Sequence, residues 1–316
     1  MSKIDANPFG KDGWTPENLD SLKGKTYLIT GGNAGIGFEA TKLLASKGAK
    51  VIILSRNSKK VEEAIKNIKQ LNSHADIDFI KLDLASLESI RNAAEIINNS
   101  LIKIDALICN AAIAQIATQK FTVDGFESQL GVNYYGNFLL CGLLFNKLNK
   151  CNGRIVLVSS LGYKIGHKKI QFEDMNFDKN YHPNNAYSHS KLALMIFAYE
   201  LQRRVKQENK NVQVHVCHPG SSKTTLIRED ANLMTRVMYK LLTPLWQSAQ
   251  KGSWPEILCA TEDGLEDESF YGATKRAEMV GPIGKSTLLP FVLDKEIASK
   301  LWNISEEKTG FKWSLC

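Results

Sequence analysis

Tyr187 and Lys191 are the two residues of this chain whose types and spacing most directly suggest chemistry. They lie four residues apart on a predicted helix, so their side chains share one face and can interact. A phenol with an ordinary pKa of about 10 exchanges protons poorly at neutral pH. An ammonium about 4 Å away, at an effective dielectric constant of about 20, would favour the phenolate by roughly 4 kcal/mol. The spacing therefore predicts a lowered phenol pKa and a general acid or base at Tyr187.

Isolated Tyr-x-x-x-Lys matches are mostly inert, so the pair indicates a function only together with a second motif. That motif is a glycine-rich turn at 30–37. The turn follows a short apolar run and precedes a helical pattern. Glycines let the backbone approach a phosphate closely, and a helix N-terminus attracts negative charge. The alternative, a turn that only needs flexible residues, is disfavoured by the flanking strand and helix patterns. The turn is therefore interpreted as a nucleotide-binding site with candidate residues Gly31, Asn33, Gly35, Ile36 and Gly37.

Strand and helix patterns alternate almost without interruption from residue 25 onward. Short apolar runs are typical of strands covered on both faces, and the segments between them carry apolar residues at helical spacing. Six strands are predicted, at 27–29, 51–54, 77–82, 106–109, 155–158 and 212–217. The alternation predicts an irregular lead-in at 1–23 and a single α/β domain at 24–316. We expect a Rossmann-type, doubly wound, mostly parallel seven-stranded sheet with helices on both faces.

Candidate site residues follow the predicted strands at their carboxyl ends, where ligands bind in doubly wound sheets. These residues are Ser55, Arg56, Asp83, Asn110, Ser159, Ser160, His218, Pro219 and Gly220. An NAD-binding chain usually carries an acidic residue after its second strand, whereas this chain has Arg56. A guanidinium suits a 2′-phosphate, so NADP(H) is predicted over NAD(H). The alternative is that Arg56 is an exposed loop arginine.

Together these motifs resemble the short-chain dehydrogenase/reductase family, over roughly residues 22–225. The resemblance implies that Asp83, Leu84 and Asn110 belong to cofactor-binding elements. It also implies that Pro219 and Gly220, with Thr224, contact the nicotinamide carboxamide. The family's catalytic tetrad corresponds here to Asn133, Ser160, Tyr187 and Lys191.

The mechanism that the resemblance implies assigns one role to each of those four residues. Tyr187 donates a proton to the alkoxide that forms when hydride reaches a carbonyl carbon, and Ser160 donates a second hydrogen bond to it. Lys191 lowers the pKa of Tyr187 and binds the nicotinamide ribose, and Asn133 holds a water that relays protons. Ser159 is the rival of Ser160, because neighbouring strand residues point oppositely and only one can face the site.

Within the family, the segments 32–37, 187–193 and 252–255 resemble retinol-dehydrogenase-like and protochlorophyllide-reductase-like members. The predicted function is an NADP-dependent oxidoreductase that acts on the carbonyl or alcohol of a small lipophilic substrate, which is retinoid-, steroid- or aldehyde/ketone-like. A C=C reductase and a non-catalytic NADPH-binding regulatory protein are the alternatives. The apolar stretch at 221–250 is interpreted as a lid over a hydrophobic pocket, with peripheral membrane contact or ordinary core packing as alternatives.

The amino-acid composition restricts the remaining functional classes. The 316 residues are 43% hydrophobic with a net charge of +7, and no dense basic block suggests nucleic-acid binding. The six cysteines and six histidines show no metal-ligand spacing, so we expect no metal and reduced thiols. No secretory signal and no transmembrane segment are evident, and a cytoplasmic location is predicted. The family is often dimeric or tetrameric, so homo-oligomerisation stays open.

Overall fold

The computed structural model describes residues 7–222 and 246–315. Within them, strands alternate with helices along the chain. The strands are β1 (Thr26–Thr30), β2 (Lys50–Ser55), β3 (Asp76–Lys81), β4 (Ala106–Cys109), β5 (Arg154–Val158), β6 (Gln213–Cys217), β7 (Phe270–Lys275) and β8 (Val280–Ser286). They form one sheet in the order β3-β2-β1-β4-β5-β6-β7-β8, parallel throughout except for the antiparallel pair β7–β8.

Helices cover both faces of this sheet. They are α1 (Gly35–Ser46), α2 (Ser58–Leu71), α3 (Leu87–Ser100), α4 (Ser128–Leu130), α5 (Gly136–Lys150), α6 (Pro183–Gln207), α7 (Ala249–Thr261) and α8 (Lys295–Thr309). A π-helical turn, Gly131–Tyr135, joins α4 to α5. Short 3₁₀ turns occupy Pro16–Asn18, Leu161–Lys164, Phe172–Asp174 and Pro290–Leu293.

Two apolar cores, one on each face, follow from the alternation of side chains along each strand. In β1, Leu28 packs into the core shared by α3, α5, α6 and α8, whereas Ile29 packs into the core shared by α1, α2 and α7. Both side chains are fully buried. A strand that is covered on both faces must be apolar at every central position, which explains the uninterrupted apolar runs.

The predicted class, a doubly wound and mostly parallel α/β sheet, is confirmed, but the sheet has eight strands instead of the expected seven, and neither β7 nor β8 is among the six strands placed in the sequence. β8 pairs only with β7, at the antiparallel edge of the sheet. Its sequence, VGPIGKS, contains Gly281, Pro282 and Gly284, which are residues typical of turns. Proline and glycine are tolerated at a sheet edge, so the strand forms there without a recognisable strand pattern.

The lead-in packs against the sheet through Trp14. Trp14 is buried, and its backbone N–H donates to the Ile283 carbonyl of β8 at 3.0 Å, which holds the lead-in against the sheet. Its indole N–H donates to Glu262 at 2.8 Å. Most of the predicted lid at 221–250 lies outside the described residues, and so does Thr224.

Candidate active site

A cavity of about 1120 Å³ opens at the carboxyl ends of the parallel strands. Thirteen of the predicted catalytic and cofactor-binding residues line it: Gly31, Asn33, Gly35, Ile36, Arg56, Asp83, Leu84, Asn110, Ser160, Tyr187, Lys191, Pro219 and Gly220. Ser55 and Ser159 line it as well. Gly37 and Asn133 support the cavity from behind its wall. The structure therefore brings the glycine turn and the Tyr187–Lys191 pair to the same cavity.

The glycine turn packs so tightly that its glycine positions leave little or no room for a side chain. Gly31 has a φ of +69° and Gly35 a φ of +56°, a region that L side chains rarely adopt. A Cβ on Gly37 would collide with the Asn110 amide and lie 2.6 Å from the Gly31 carbonyl oxygen. Asn110 in turn donates from Nδ2 to the Thr30 carbonyl at 2.8 Å. The asparagine after β4 therefore supports the turn after β1.

The N-terminus of α1 is open towards the cavity. Its N-cap is Ala34, which offers no side-chain acceptor for the first N–H groups of the helix. Such unpaired N–H groups and the helix dipole together form a site for an anion. The glycine cradle and this helix end fit the pyrophosphate of a dinucleotide.

Residues after β2 and β3 line the next part of the cavity. Arg56 is exposed there, just before Asn57, whose side chain caps α2 by accepting from Lys60 N–H at 3.0 Å. Asp83 accepts from Ala85 N–H at 3.0 Å, which fixes the turn after β3. A positive group and a fixed carboxylate thus line the same cavity as the glycine turn.

Ser160 and Tyr187 meet at the opposite end of the cavity. The Ser160 hydroxyl accepts from Gly162 N–H at 3.1 Å and forms a hydrogen bond with the Tyr187 phenol. Burial raises the pKa of Tyr187, and the hydrogen bond with Ser160 partly opposes that rise. Ser159 also lines the cavity but is buried, and its hydroxyl donates to the Lys191 carbonyl at 3.4 Å.

Lys191 is only 2% exposed, and its ammonium donates to the Val158 carbonyl at 2.8 Å. Burial lowers the pKa of this lysine to about 8. The spacing of Tyr187 and Lys191 predicted a lowered phenol pKa, but the direction in the structure is the opposite. The reason is that burial penalises the phenolate, while the ammonium is directed to a backbone carbonyl instead of the phenol.

Asn133 lies in the π-helical turn and is completely buried. Its side-chain oxygen accepts from Ile113 N–H at 2.9 Å, and its Nδ2 donates to the Ile113 carbonyl and to the Ser190 hydroxyl, both at 2.9 Å. The side chain therefore ties the loop after β4 to the residue that precedes Lys191. A proton-relaying water at Asn133 stays a prediction.

Sequence reasoning missed a polar contact across the mouth of the cavity. The Gln115 amide donates to the Asn184 side-chain oxygen, and both residues line the cavity. Gln115 adopts a φ of +58°, which is strained for a side chain other than glycine. A loop residue of this kind carries no periodic signal, so the sequence gives no means of finding it.

Apolar side chains complete the wall beyond Tyr187. They include Ile113, Ile116, Ile165 and Trp246. Ile165 is 65% exposed, so it presents apolar surface at this wall of the cavity. Within 7–222 and 246–315, no group of three or more His, Cys, Asp or Glu side chains could hold a metal ion. None of the helices in those ranges combines the length and apolar character needed to cross a membrane.

Comparison with known proteins agrees with this geometry. Residues 25–233 match the family model described as short chain dehydrogenase. The chain belongs to this family. Short-chain dehydrogenases are oxidoreductases that bind NAD(H) or NADP(H), and the open end of α1 and the glycine cradle fit such a cofactor.

Several known proteins are similar to this chain over most of their length. Human retinol dehydrogenase 12 is 36% identical over 295 residues, covering 92% of this chain and 88% of the relative. Mouse retinol dehydrogenase 14 is 36% identical over 304 residues, covering 92% and 87%. Among solved structures, an uncharacterised protein from Mycobacterium paratuberculosis has a TM-score of 0.78 at 32% identity, covering 96% of this chain and 99% of its own. The NADP complex of Pseudomonas aeruginosa RhlG shares the fold, with a TM-score of 0.59 at 22% identity, and the match covers 77% of this chain and 92% of that one.

Proposed function

We propose that this protein transfers hydride between NADP(H) and the carbonyl or alcohol group of a small lipophilic substrate of retinoid-like character. The observation that carries the proposal is the single cavity shared by the glycine turn and by Ser160, Tyr187 and Lys191. The similarity to retinol dehydrogenases supports the substrate class. The apolar wall formed by Ile113, Ile116 and Ile165 also supports it, because such a wall binds an apolar body better than a charged one.

The chain's own residues would hold NADP(H) along the strand edge. The uncapped N-terminus of α1 and the turn at Gly31–Gly37 would bind the pyrophosphate. Arg56 would pair with the 2′-phosphate, and Asp83, Leu84 and Asn110 would line the adenosine side. Pro219 and Gly220, with Thr224 outside the described residues, would contact the nicotinamide. When bound, the cofactor supplies or accepts the hydride.

The raised pKa of Tyr187 favours the reductive direction at neutral pH. A protonated phenol can donate its proton to a developing alkoxide, whereas oxidation of an alcohol needs the phenolate. Ser160, already hydrogen-bonded to Tyr187, would donate to the same oxygen and stabilise its negative charge. Lys191, held by the Val158 carbonyl, places a positive charge behind the phenol and the cofactor ribose.

The test of cofactor choice is a titration of NADPH and NADH against three forms of the protein. Wild type is expected to bind NADPH more tightly. Arg56→Leu is expected to weaken NADPH binding by roughly 10- to 100-fold, because a charge-assisted bond is lost, and to leave NADH binding nearly unchanged. Lys66→Leu, an exposed position further along α2, is the matched control. Equal affinities for the two nucleotides in wild type would contradict the NADP assignment.

The test of the reaction uses an α,β-unsaturated aldehyde, such as retinal, because its products separate the alternatives. Formation of the allylic alcohol supports carbonyl reduction. Formation of the saturated aldehyde would instead establish a C=C reductase. Tight NADPH binding without turnover of any aldehyde or ketone would favour a regulatory protein.

A further inference from the structure

The turn between β7 and β8 is held in an unfavourable backbone conformation. Arg276, Ala277 and Glu278 have φ values of 50°, 54° and 64° in succession. Non-glycine residues pay free energy for this region, so three in a row persist only where surrounding contacts hold them. Strain of this kind concentrates at functional sites, so the contacts that hold this turn bear on the candidate active site.

The first contact joins the turn to the segment that follows Ser160. The Glu278 carboxylate forms an ion pair with the Lys164 ammonium at 2.5 Å, and the two side chains are only 16% and 22% exposed. Lys164 ends the 3₁₀ turn that begins directly after Ser160. Burial alone would raise the pKa of Glu278, but hydrogen bonds from Lys164 and from Thr287 outweigh it and lower the pKa. The carboxylate is therefore charged and fully engaged.

The second contact joins the turn to the segment that follows β6. The Met279 carbonyl accepts from Ser221 N–H at 2.7 Å. Gly220, with a φ of +62°, lies so close to the same carbonyl that a Cβ would collide with it. From the other side, the His218 ring accepts from Gly220 N–H at 3.1 Å and is bonded to the Ser286 hydroxyl of β8 at 2.7 Å. The hairpin thus fixes the position of Gly220 from two directions.

We propose that Lys164, Glu278 and Met279 form a brace that sets the distance between Ser160 and the Pro219–Ser221 segment. None of the three brace residues lines the cavity, so they are positioning residues. The inference rests on the proposed function, in which Ser160 contacts the reacting oxygen and Pro219–Ser221 contacts the nicotinamide. A brace between the two fixes the approach of the hydride to the carbonyl carbon, and small errors in that approach are costly in rate.

The first experiment needs no cofactor. Hydrogen exchange at the Ser221 amide is measured in the free protein for wild type and Glu278→Gln, with thermal denaturation confirming that both are folded. Loss of the ion pair is expected to increase exchange at Ser221 by roughly tenfold, because the turn is no longer held. Asp267→Asn is the matched control, since it breaks the exposed pair of Asp267 with Lys206. Unchanged exchange at Ser221 in Glu278→Gln would overturn the brace whatever the protein catalyses.

The second experiment measures turnover and the primary isotope effect with NADPH deuterated at the transferred position. Lys164→Met is expected to lower kcat by roughly 10- to 100-fold and to raise the isotope effect, because hydride transfer becomes rate-limiting when its geometry is lost. The dissociation constant of NADPH should change by less than about threefold, since the pyrophosphate and 2′-phosphate dominate binding. Lys164→Gln is a milder break that serves if Lys164→Met does not fold.

Two further variants test the ion pair itself, one that keeps the pair with a different cation and one that combines both substitutions. Lys164→Arg keeps the pair and is expected to retain the wild-type rate and isotope effect. The double variant of Lys164→Met with Glu278→Gln should be no slower than either single variant, because both remove the same contact. Additive losses, or an equal loss in Lys164→Arg, would overturn the inference. A wild-type protein that neither binds nor oxidises NADPH would refute the proposed function itself, and the exchange measurement separates that failure from failure of the brace.

Discussion

Glu256 allows a test of how a buried carboxyl group changes the free energy of unfolding with pH. It lies on α7, is 1% exposed, and neither carboxyl oxygen has a hydrogen-bond partner within 7–222 and 246–315. Its neighbours on the helix, Ile257, Leu258 and Cys259, are also buried. Burial raises the pKa of Glu256 to about 8, so the folded protein holds this side chain protonated at neutral pH.

The sign of the effect follows from proton binding in the two states. In the unfolded chain Glu256 loses its proton near its ordinary pKa of 4.5, whereas the folded protein keeps it until about pH 8. Between these values the folded state binds more protons, so stability falls as pH rises. The cost grows by about 1.4 kcal/mol for each pH unit, reaching roughly 3 kcal/mol at pH 7 and under about 1 kcal/mol at pH 5.

Replacement by glutamine removes the ionisation but keeps the size of the side chain. Glu256→Gln is expected to stabilise the protein by roughly 3 kcal/mol at pH 7, a large part of the 5–15 kcal/mol that is usual for folded domains. The gain should shrink to about 1 kcal/mol at pH 5 and grow towards about 5 kcal/mol at pH 8.5. Urea denaturation at the three pH values measures it, with exposed Glu62→Gln as the control. A gain that is the same at all three pH values would refute a buried, protonated Glu256.

Three further predictions concern the turn, the lysine and the hairpin. Gly37→Ala is expected to weaken NADPH binding at least tenfold in a fluorescence titration, since its Cβ collides with Asn110. Because the pKa of Lys191 is lowered to about 8, kcat/KM for carbonyl reduction should fall roughly tenfold per unit above that pH, and a flat profile would contradict a role for the ammonium. Ala277→Gly should stabilise the protein by about 1 kcal/mol in thermal denaturation, because glycine adopts a positive φ without strain.

Features that depend on local pattern could be predicted from the sequence. The strands β1, β2, β4 and β5 are buried on both faces, so each shows an apolar run, and residues that line the cavity follow directly after it. The glycine turn can be recognised in the sequence because only glycine fits at Gly31 and Gly37. That Tyr187 and Lys191 share one face of α6 follows from their spacing of four residues on a helix.

Features that depend on tertiary packing could not be predicted in this way. Whether the phenol of Tyr187 gains or loses acidity depends on how deeply it is buried and on which acceptor Lys191 finds. The ion pair of Lys164 with Glu278 joins residues more than a hundred positions apart, and no pattern connects them. Edge strand β8 was missed because its position at the antiparallel edge tolerates the glycines and proline that usually indicate a turn.

The central claim is that Tyr187 is the proton donor of an NADPH-dependent reduction. Its most direct test compares wild type with Tyr187→Phe, measuring NADPH binding by fluorescence titration and NADPH consumption with an apolar aldehyde. Phenylalanine keeps the ring and removes only the hydroxyl. Turnover is expected to fall by roughly 10²- to 10⁴-fold while the dissociation constant of NADPH changes little. Turnover that persists near the wild-type rate in Tyr187→Phe would contradict the account.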